Sequence, residues 1–251
     1  MIERTQTGRV VNLALNRPEK RNALNVAVSR QLVRALDEAE ADHGVGAIVL
    51  SGNGSAFCAG MDLQEILEDD SLQLAGLHER LFTSINRIRK PIIAAVHGPA
   101  IAGGTGLVAN AHIVIAAPGV PFGLTEIKVG LWPVLVFRAC ELAMGERRTT
   151  ELSITGRTFS AEEALIYGLV TEITEDPFAR AMEVASVVSE YSPIAMGSGL
   201  DYVHHIRVRN WDQAGKIGHQ MRDRLMDHAD FEEGVKAFLE KRKPSWPSLR
   251  T

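Results

Sequence analysis

Cysteine is scarce in this sequence: Cys58 and Cys140 are the only two in 251 residues, too few for a disulfide framework or a cysteine zinc cage. Aromatic residues are also few, at 6%, and the formal charge of −4 leaves no excess of base. No basic block is longer than Lys241-Arg242-Lys243. This argues against nucleic acid as a partner, because that affinity rests on many Lys and Arg contacts to phosphate. There is neither an apolar leader after Met1 nor an uninterrupted apolar run of membrane-spanning length, so a soluble cytoplasmic protein is expected. What is present, 45% hydrophobic and 23% charged residues, is enough for one large core or a core with an appendage.

Periodicity places the elements. "RVVNLAL" (9–15) reads as a strand that stops at the Pro- and Asn-bearing turn "NRPEKRN". Asn25 is positioned to cap a helix over 26–41, with Val28, Leu32, Ala35 and Ala39 on one face. "GAIVLSG" (46–52), "PIIAAVHG" and "HIVIAA" are short continuous apolar runs, the pattern of buried strands. Leu74, Leu77, Leu81, Ile85 and Ile88 predict an amphipathic helix running to Pro91. Alternating strands and helices imply an α/β layer structure. Beyond residue 133 the pattern is mostly helical. Ser160 and Glu163 have capping-box spacing, Gly168 is a helix stop, and Ser192-Pro193 breaks a helix over 177–190. Three further helical stretches follow, so the expected division is a core over 1–191 and a helical region over 192–251 that packs on the core or on another subunit.

Two glycine-rich loops follow apolar strands: "SGNGSAFCAGMDL" and "GPAIAGGTG". Neither is a P-loop, since no Lys-Ser or Lys-Thr follows the last glycine. Gly98, Gly103 and Gly106 also miss the dinucleotide spacing. Each loop alone reads equally well as a tight turn. Two of them at strand ends can aim backbone N–H groups at one point, and such a pair forms an oxyanion hole without any charged side chain.

The stretches "NRPEKRNALN", "SAFCAGMDLQE", "HGPAIAGG", "FGLTEIKVGL", "GRTFSAEEALIYGLV" and "FEEGVKAFLEKRKP" resemble, in order from about residue 9 to 246, the signatures of the crotonase superfamily, the enoyl-CoA hydratase/isomerase group. The resemblance implies an α/β crotonase-like fold, a superhelical core of repeated ββα turns with a C-terminal helical extension that trimerises. It also implies an acyl-CoA thioester as substrate, a place in fatty acid metabolism, no further cofactor and no metal, and a homotrimer or dimer of trimers. By position, the oxyanion donors are the amides of Met61 and of Gly103. The groove for coenzyme A falls to Arg21, Ala23, Leu24, Ala59 and Leu63. Phe238 and Lys241 reach the coenzyme from the same or a neighbouring subunit. Asp62 is the cap of the helix that starts there, and residues 64–80 border the acyl pocket.

The acids depart from the family pattern. Hydratases of this group resemble one another in carrying two glutamates. The first falls at Gly106, where neighbouring Thr105 and Asn110 cannot act as a general base at neutral pH. The second is present as Glu126, in apolar company (Phe122, Leu124, Ile127, Leu131, Trp132) that raises a carboxyl pKa by desolvation. One base is enough to move a double bond from C3 to C2, so isomerisation leads. Hydration is the alternative, as is a hydratase-lyase acting on hydroxycinnamoyl-CoA. That last reading ranks lower because the three tyrosines, Tyr167, Tyr191 and Tyr202, miss the expected place. A non-catalytic acyl-CoA-binding protein is a further alternative. His97, His112 and Cys58 lack metal-ligand spacing, and the adjacent His204 and His205 face apart on a helix.

Overall fold

A computed structural model describes residues 1–68 and 71–250 of the chain. In chain order it runs through β1 (Ile2–Thr7), β2 (Val10–Leu15), α1 (Val26–Ala41), β3 (Ala47–Gly52), α2 (Leu63–Glu68) and α3 (Ser71–Phe82). It continues with β4 (Ile92–Val96), β5 (Ala100–Ile101), α4 (Gly103–Ala109), β6 (Ile113–Ala116), β7 (Phe122–Gly123), α5 (Phe137–Met144) and α6 (Glu146–Thr155). The last third holds β8 (Thr158–Phe159), α7 (Ala161–Tyr167), β9 (Glu172–Ile173), α8 (Pro177–Ser189), α9 (Pro193–Ile206), α10 (Trp211–Met226) and α11 (Ala229–Leu239).

The main sheet has the order β1-β2-β3-β4-β6-β9. All neighbours pair in parallel except β1, which pairs antiparallel with β2 through a turn at Gly8, where φ is +56°. The apolar runs are continuous because both faces are covered. Val11, Leu13, Ile48, Leu50, Ala94 and Val96 join the larger core, and α1 lies over β1 and β2. Val10, Ala47, Val49, Ile93, Ala95 and Ile115 pack with Ala181 and Ala185 of α8 on the other face. The second sheet is small, β5-β7-β8.

Local chemistry explains most element ends. The Asn25 side chain accepts from Val28 N–H at 2.8 Å and starts α1 as its spacing predicts. Ser160 and Glu163 form a reciprocal capping box, and Gly168 closes α7 at φ +88°. One strand had no expectation and one expectation needs correction. β1, IERTQT, is a polar edge strand whose exposed side chains give no apolar signal. The helix expected to reach Pro91 ends at Phe82, and Ile85 and Ile88 fall in and after a 3₁₀ turn, Ser84–Asn86. The break is stabilised locally: Thr83 Oγ1 donates to Glu79 O at 2.8 Å and the Arg87 guanidinium donates to Arg80 O at 2.9 Å. Of segment 64–80, residues 69 and 70 lie outside the described residues.

Ser192 caps α9, and its hydroxyl donates to the buried Asp230 carboxylate at 2.5 Å. Ser248 Oγ meets the same carboxylate oxygen at 2.7 Å, so Asp230 ties α9, α11 and the chain end together. Burial alone would raise the Asp230 pKa, but these hydrogen bonds hold it below its ordinary value.

Candidate active site

The parallel strands β3 and β4 both deliver their C-terminal ends to one edge of the sheet, and the two glycine-rich loops leave from there. Ligands in open α/β sheets are held at that edge.

The segment before α1 is fixed by Asn22, which is fully buried. Arg21 and Asn22 adopt φ of 51° and 57°, a turn that aims the Asn22 amide inward. Asn22 Nδ2 donates to Asn53 O at 2.9 Å and Ala56 O at 2.8 Å, while Oδ1 accepts Arg17 N–H at 2.8 Å. Arg17 also reaches Asp62 at 2.6 Å. Burial pushes the Asp62 pKa up, but the Arg17 guanidinium and the Glu65 and Gln64 amides outweigh it, so the carboxyl titrates below its ordinary value. As its position implied, Asp62 accepts Glu65 N–H, at 3.4 Å, at the start of α2.

With both segments fixed, Leu24 N–H donates to Gly60 O at 2.7 Å and Asp62 N–H donates to Leu24 O at 3.1 Å. Met61 lies between these two bonds, so its own N–H points away from Leu24. Gly60 has φ +89°, and a β-carbon there would stand 2.8 Å from Ile101 O and 3.4 Å from Gly103 N. Only glycine lets the loops touch here.

On the facing loop Ala102 adopts φ 52°, ψ −116°, a region that glycine favours, and its N–H is held by Gly123 O at 2.7 Å. Strain of this kind collects at functional sites. Gly103 is the first residue of α4, where amides have no partner within the helix. Among the described residues neither Met61 N–H nor Gly103 N–H has a hydrogen-bond acceptor.

Thr105, fully buried, joins this turn to β7: its Oγ1 lies 2.7 Å from Ala100 O and accepts Gly123 N–H at 3.1 Å. Three residues beyond Gly123, Glu126 opens a 3₁₀ turn, Glu126–Val129. Its Oε2 is buried without a hydrogen-bond partner among the described residues. Burial raises the Glu126 pKa, against a smaller opposing effect of its own amide. Burial, and then the Glu126 charge, also raises the pKa of the enclosed Cys140 thiol on α5.

The structure thus brings Ala23, Leu24, Ala59, Gly60, Met61 and Gly103 to one place, with Ala59 N–H donating to Arg21 O at 2.9 Å. Arg21 and Leu63 are exposed at its rim. Phe238 is on α11, which packs with α10 and the C-terminal turn, and Lys241 lies just beyond that helix. Phe238 faces a groove of about 730 Å³ between α9, α10 and α11. A second cavity, about 600 Å³, sits between Arg9, Lys90, Asp201 and Ser248, also away from the loops.

Three of the histidines are separately engaged. His97 Nε2 is 2.9 Å from Gly54 O, His112 Nδ1 accepts Ile92 N–H at 3.0 Å, and His205 meets Asp201 O at 2.7 Å. Among the described residues no group of three His, Cys, Asp or Glu could hold a metal ion. Asn22, Thr105 and Arg17 carry no motif of their own in the sequence, because Asn22 and Thr105 hold backbone and Arg17 holds the Asp62 carboxylate.

A sequence model described as enoyl-CoA hydratase/isomerase matches residues 5–249. A mevalonyl-coenzyme A hydratase of Aspergillus fumigatus is 34% identical over 258 residues, covering 96% of this chain and 92% of that protein. A 2,3-dehydroadipyl-CoA hydratase of Escherichia coli is 31% identical, covering 95% of each. Among solved structures, an enoyl-CoA hydratase of Mycobacterium smegmatis superposes with a TM-score of 0.91 at 31% identity, covering 98% of each chain.

Proposed function

The chain belongs to the enoyl-CoA hydratase/isomerase family, with its crotonase fold, and from that premise we propose that it moves the double bond of a 3-enoyl-CoA to C2 with one base, Glu126. The amides of Met61 and Gly103 donate to the thioester oxygen. The Glu126 carboxylate takes a proton from C2, the C3–C4 π electrons and the new carbanion delocalise into a dienolate, and the carboxylic acid returns the proton at C4. Loss of one donor from such a hole costs about 3 kcal/mol in the barrier.

The observation that carries this reading is the solitary acid: Glu126 has a buried oxygen with no partner among the described residues, while the other expected position is Gly106. Coenzyme A would lie along Arg21, Ala23, Leu24, Ala59 and Leu63. Phe238 and Lys241, being remote within one chain, would serve a neighbouring subunit of a homotrimer or dimer of trimers, in the cytoplasm. No cofactor is invoked beyond the coenzyme A of the substrate. Glu126→Gln should lower turnover by about 10²–10⁴ while an acyl-CoA analogue still binds; retained turnover contradicts the assignment.

Hydration is the second reading, favoured by the relatives above being named hydratases. In it Glu126 alone would activate water toward C3 of a 2-enoyl-CoA.

A further inference from the structure

At Gly106 the missing acid has not left an empty place. Gly106 is buried in the first turns of α4. A β-carbon there would stand 2.7 Å from Val136 Cβ, closer still to Val136 Cγ1, and 3.2 Å from Phe82 Cδ1. Phe82 Cζ also lies 3.2 Å from where a β-carbon on Gly103 would be, so the ring spans the face from Gly103 to Gly106.

Val136 is 3% exposed and fixed at the entrance of α5: its N–H donates to Pro133 O at 3.1 Å and its carbonyl accepts Cys140 N–H at 3.1 Å. Cys140, one turn along the same helix, is the residue whose thiol feels the Glu126 charge. The volume beside Gly106 is therefore occupied by hydrocarbon held on rigid backbone, on the helix that also flanks Glu126. A water needs two or more polar partners to be held in such a place, and the three atoms nearest that β-carbon position are all carbons, of Val136 and Phe82.

We propose that Val136, backed by Phe82, sets the reaction specificity of this site. It fills the volume in which a second acid and its water would sit, and so keeps Glu126 on proton transfer between C2 and C4. The diverted reaction would form a C3–O bond from water, with one water proton passing to Glu126 and one proton delivered to C2. This inference rests on the one-base reading above. It predicts that positions 106 and 136 are coupled: an acid fits at 106 only if 136 is small.

The test uses the full chain with Val136→Ala, Gly106→Glu and Gly106→Glu/Val136→Gly, each given a 3-enoyl-CoA and a 2-enoyl-CoA. Isomerised and hydrated products are quantified separately. Val136→Ala, which removes only two methyl groups, should fold and raise the ratio of hydration to isomerisation. Gly106→Glu alone should melt well below the parent, and adding Val136→Gly should recover much of that loss. The double variant should hydrate about a hundredfold faster than the parent, the low end of what one positioned acid or base contributes. A packing role without influence on specificity would change Tm but not the product ratio. If the parent isomerises and the ratio is unmoved in both Val136 variants, the proposal fails and the one-base reading stands. If Gly106→Glu is as stable with Val136 as without it, the proposal fails on coupling alone. If the parent hydrates and does not isomerise, the one-base reading is what fails, and Val136 excludes nothing.

Discussion

A half-buried carboxylate with an oxygen that has no partner among the described residues is costly when ionised, and in the proposed reaction Glu126 carries that cost where proton transfer uses it. Burial raises its pKa, so the folded protein binds this proton more tightly than the unfolded chain does. The resulting stability is present below the unfolded value, taken as 4.5, and is lost as pH rises through the folded value. Glu126→Gln should therefore be more stable than the parent at neutral pH, with the difference shrinking as pH falls toward 4.5. Melting curves across that range check this, and a pH-independent difference contradicts it. In the proposed reaction the active form is the carboxylate, so the acidic limb of kcat/KM should lie above that of an ordinary glutamate and vanish in the variant. At this scale the proposed roles of Met61, Gly103 and Glu126 came from the resemblance of their motif neighbours. The sequence could not display Val136, because the steric fit between residues thirty positions apart leaves no local pattern.

Elements were legible where their causes are local. Asn25 and the Ser160–Glu163 pair act within one turn of backbone, so their helices begin where the spacing places them. Asn25→Ala should cost about 1 kcal/mol of stability, read as a lower denaturant midpoint with unchanged slope. α3 shows the limit: its apolar spacing continues to Ile88, but hydrogen bonds from Thr83 and Arg87 end the helix six residues earlier. The start of β4 is held by His112, whose Nδ1 must stay unprotonated to accept Ile92 N–H. Burial, with the nearby His204 and Arg207, pushes its pKa down from 6.5 to about 4. This histidine therefore contributes stability above pH 6.5 that is lost as pH falls through about 4. His112→Asn keeps an acceptor near the Nδ1 position without titrating there. It should flatten the acid loss of stability over that interval, and an unchanged slope would contradict the role given to His112.

At the scale of the whole molecule, alternating buried strands and helices announced an α/β layer structure, yet the order β1-β2-β3-β4-β6-β9 and the small sheet β5-β7-β8 depend on pairings that no single segment encodes. The small sheet matters most for the site, because it sets β7, and hence Glu126, against the strand that leads into Gly103. Phe238 and Leu239 are 82% and 73% exposed in a single chain, in keeping with a surface that another subunit covers. Light scattering should accordingly find three or six chains per particle, and a stable monomer would remove Phe238 and Lys241 from the coenzyme A site. The central claim, one base in a pocket closed to water, is tested most directly by giving the purified protein a 3-enoyl-CoA and, separately, a 2-enoyl-CoA, and following the absorbance of the conjugated thioester. The account predicts absorbance rising with the first and steady with the second. Absorbance falling with the second would show water being added and would contradict it.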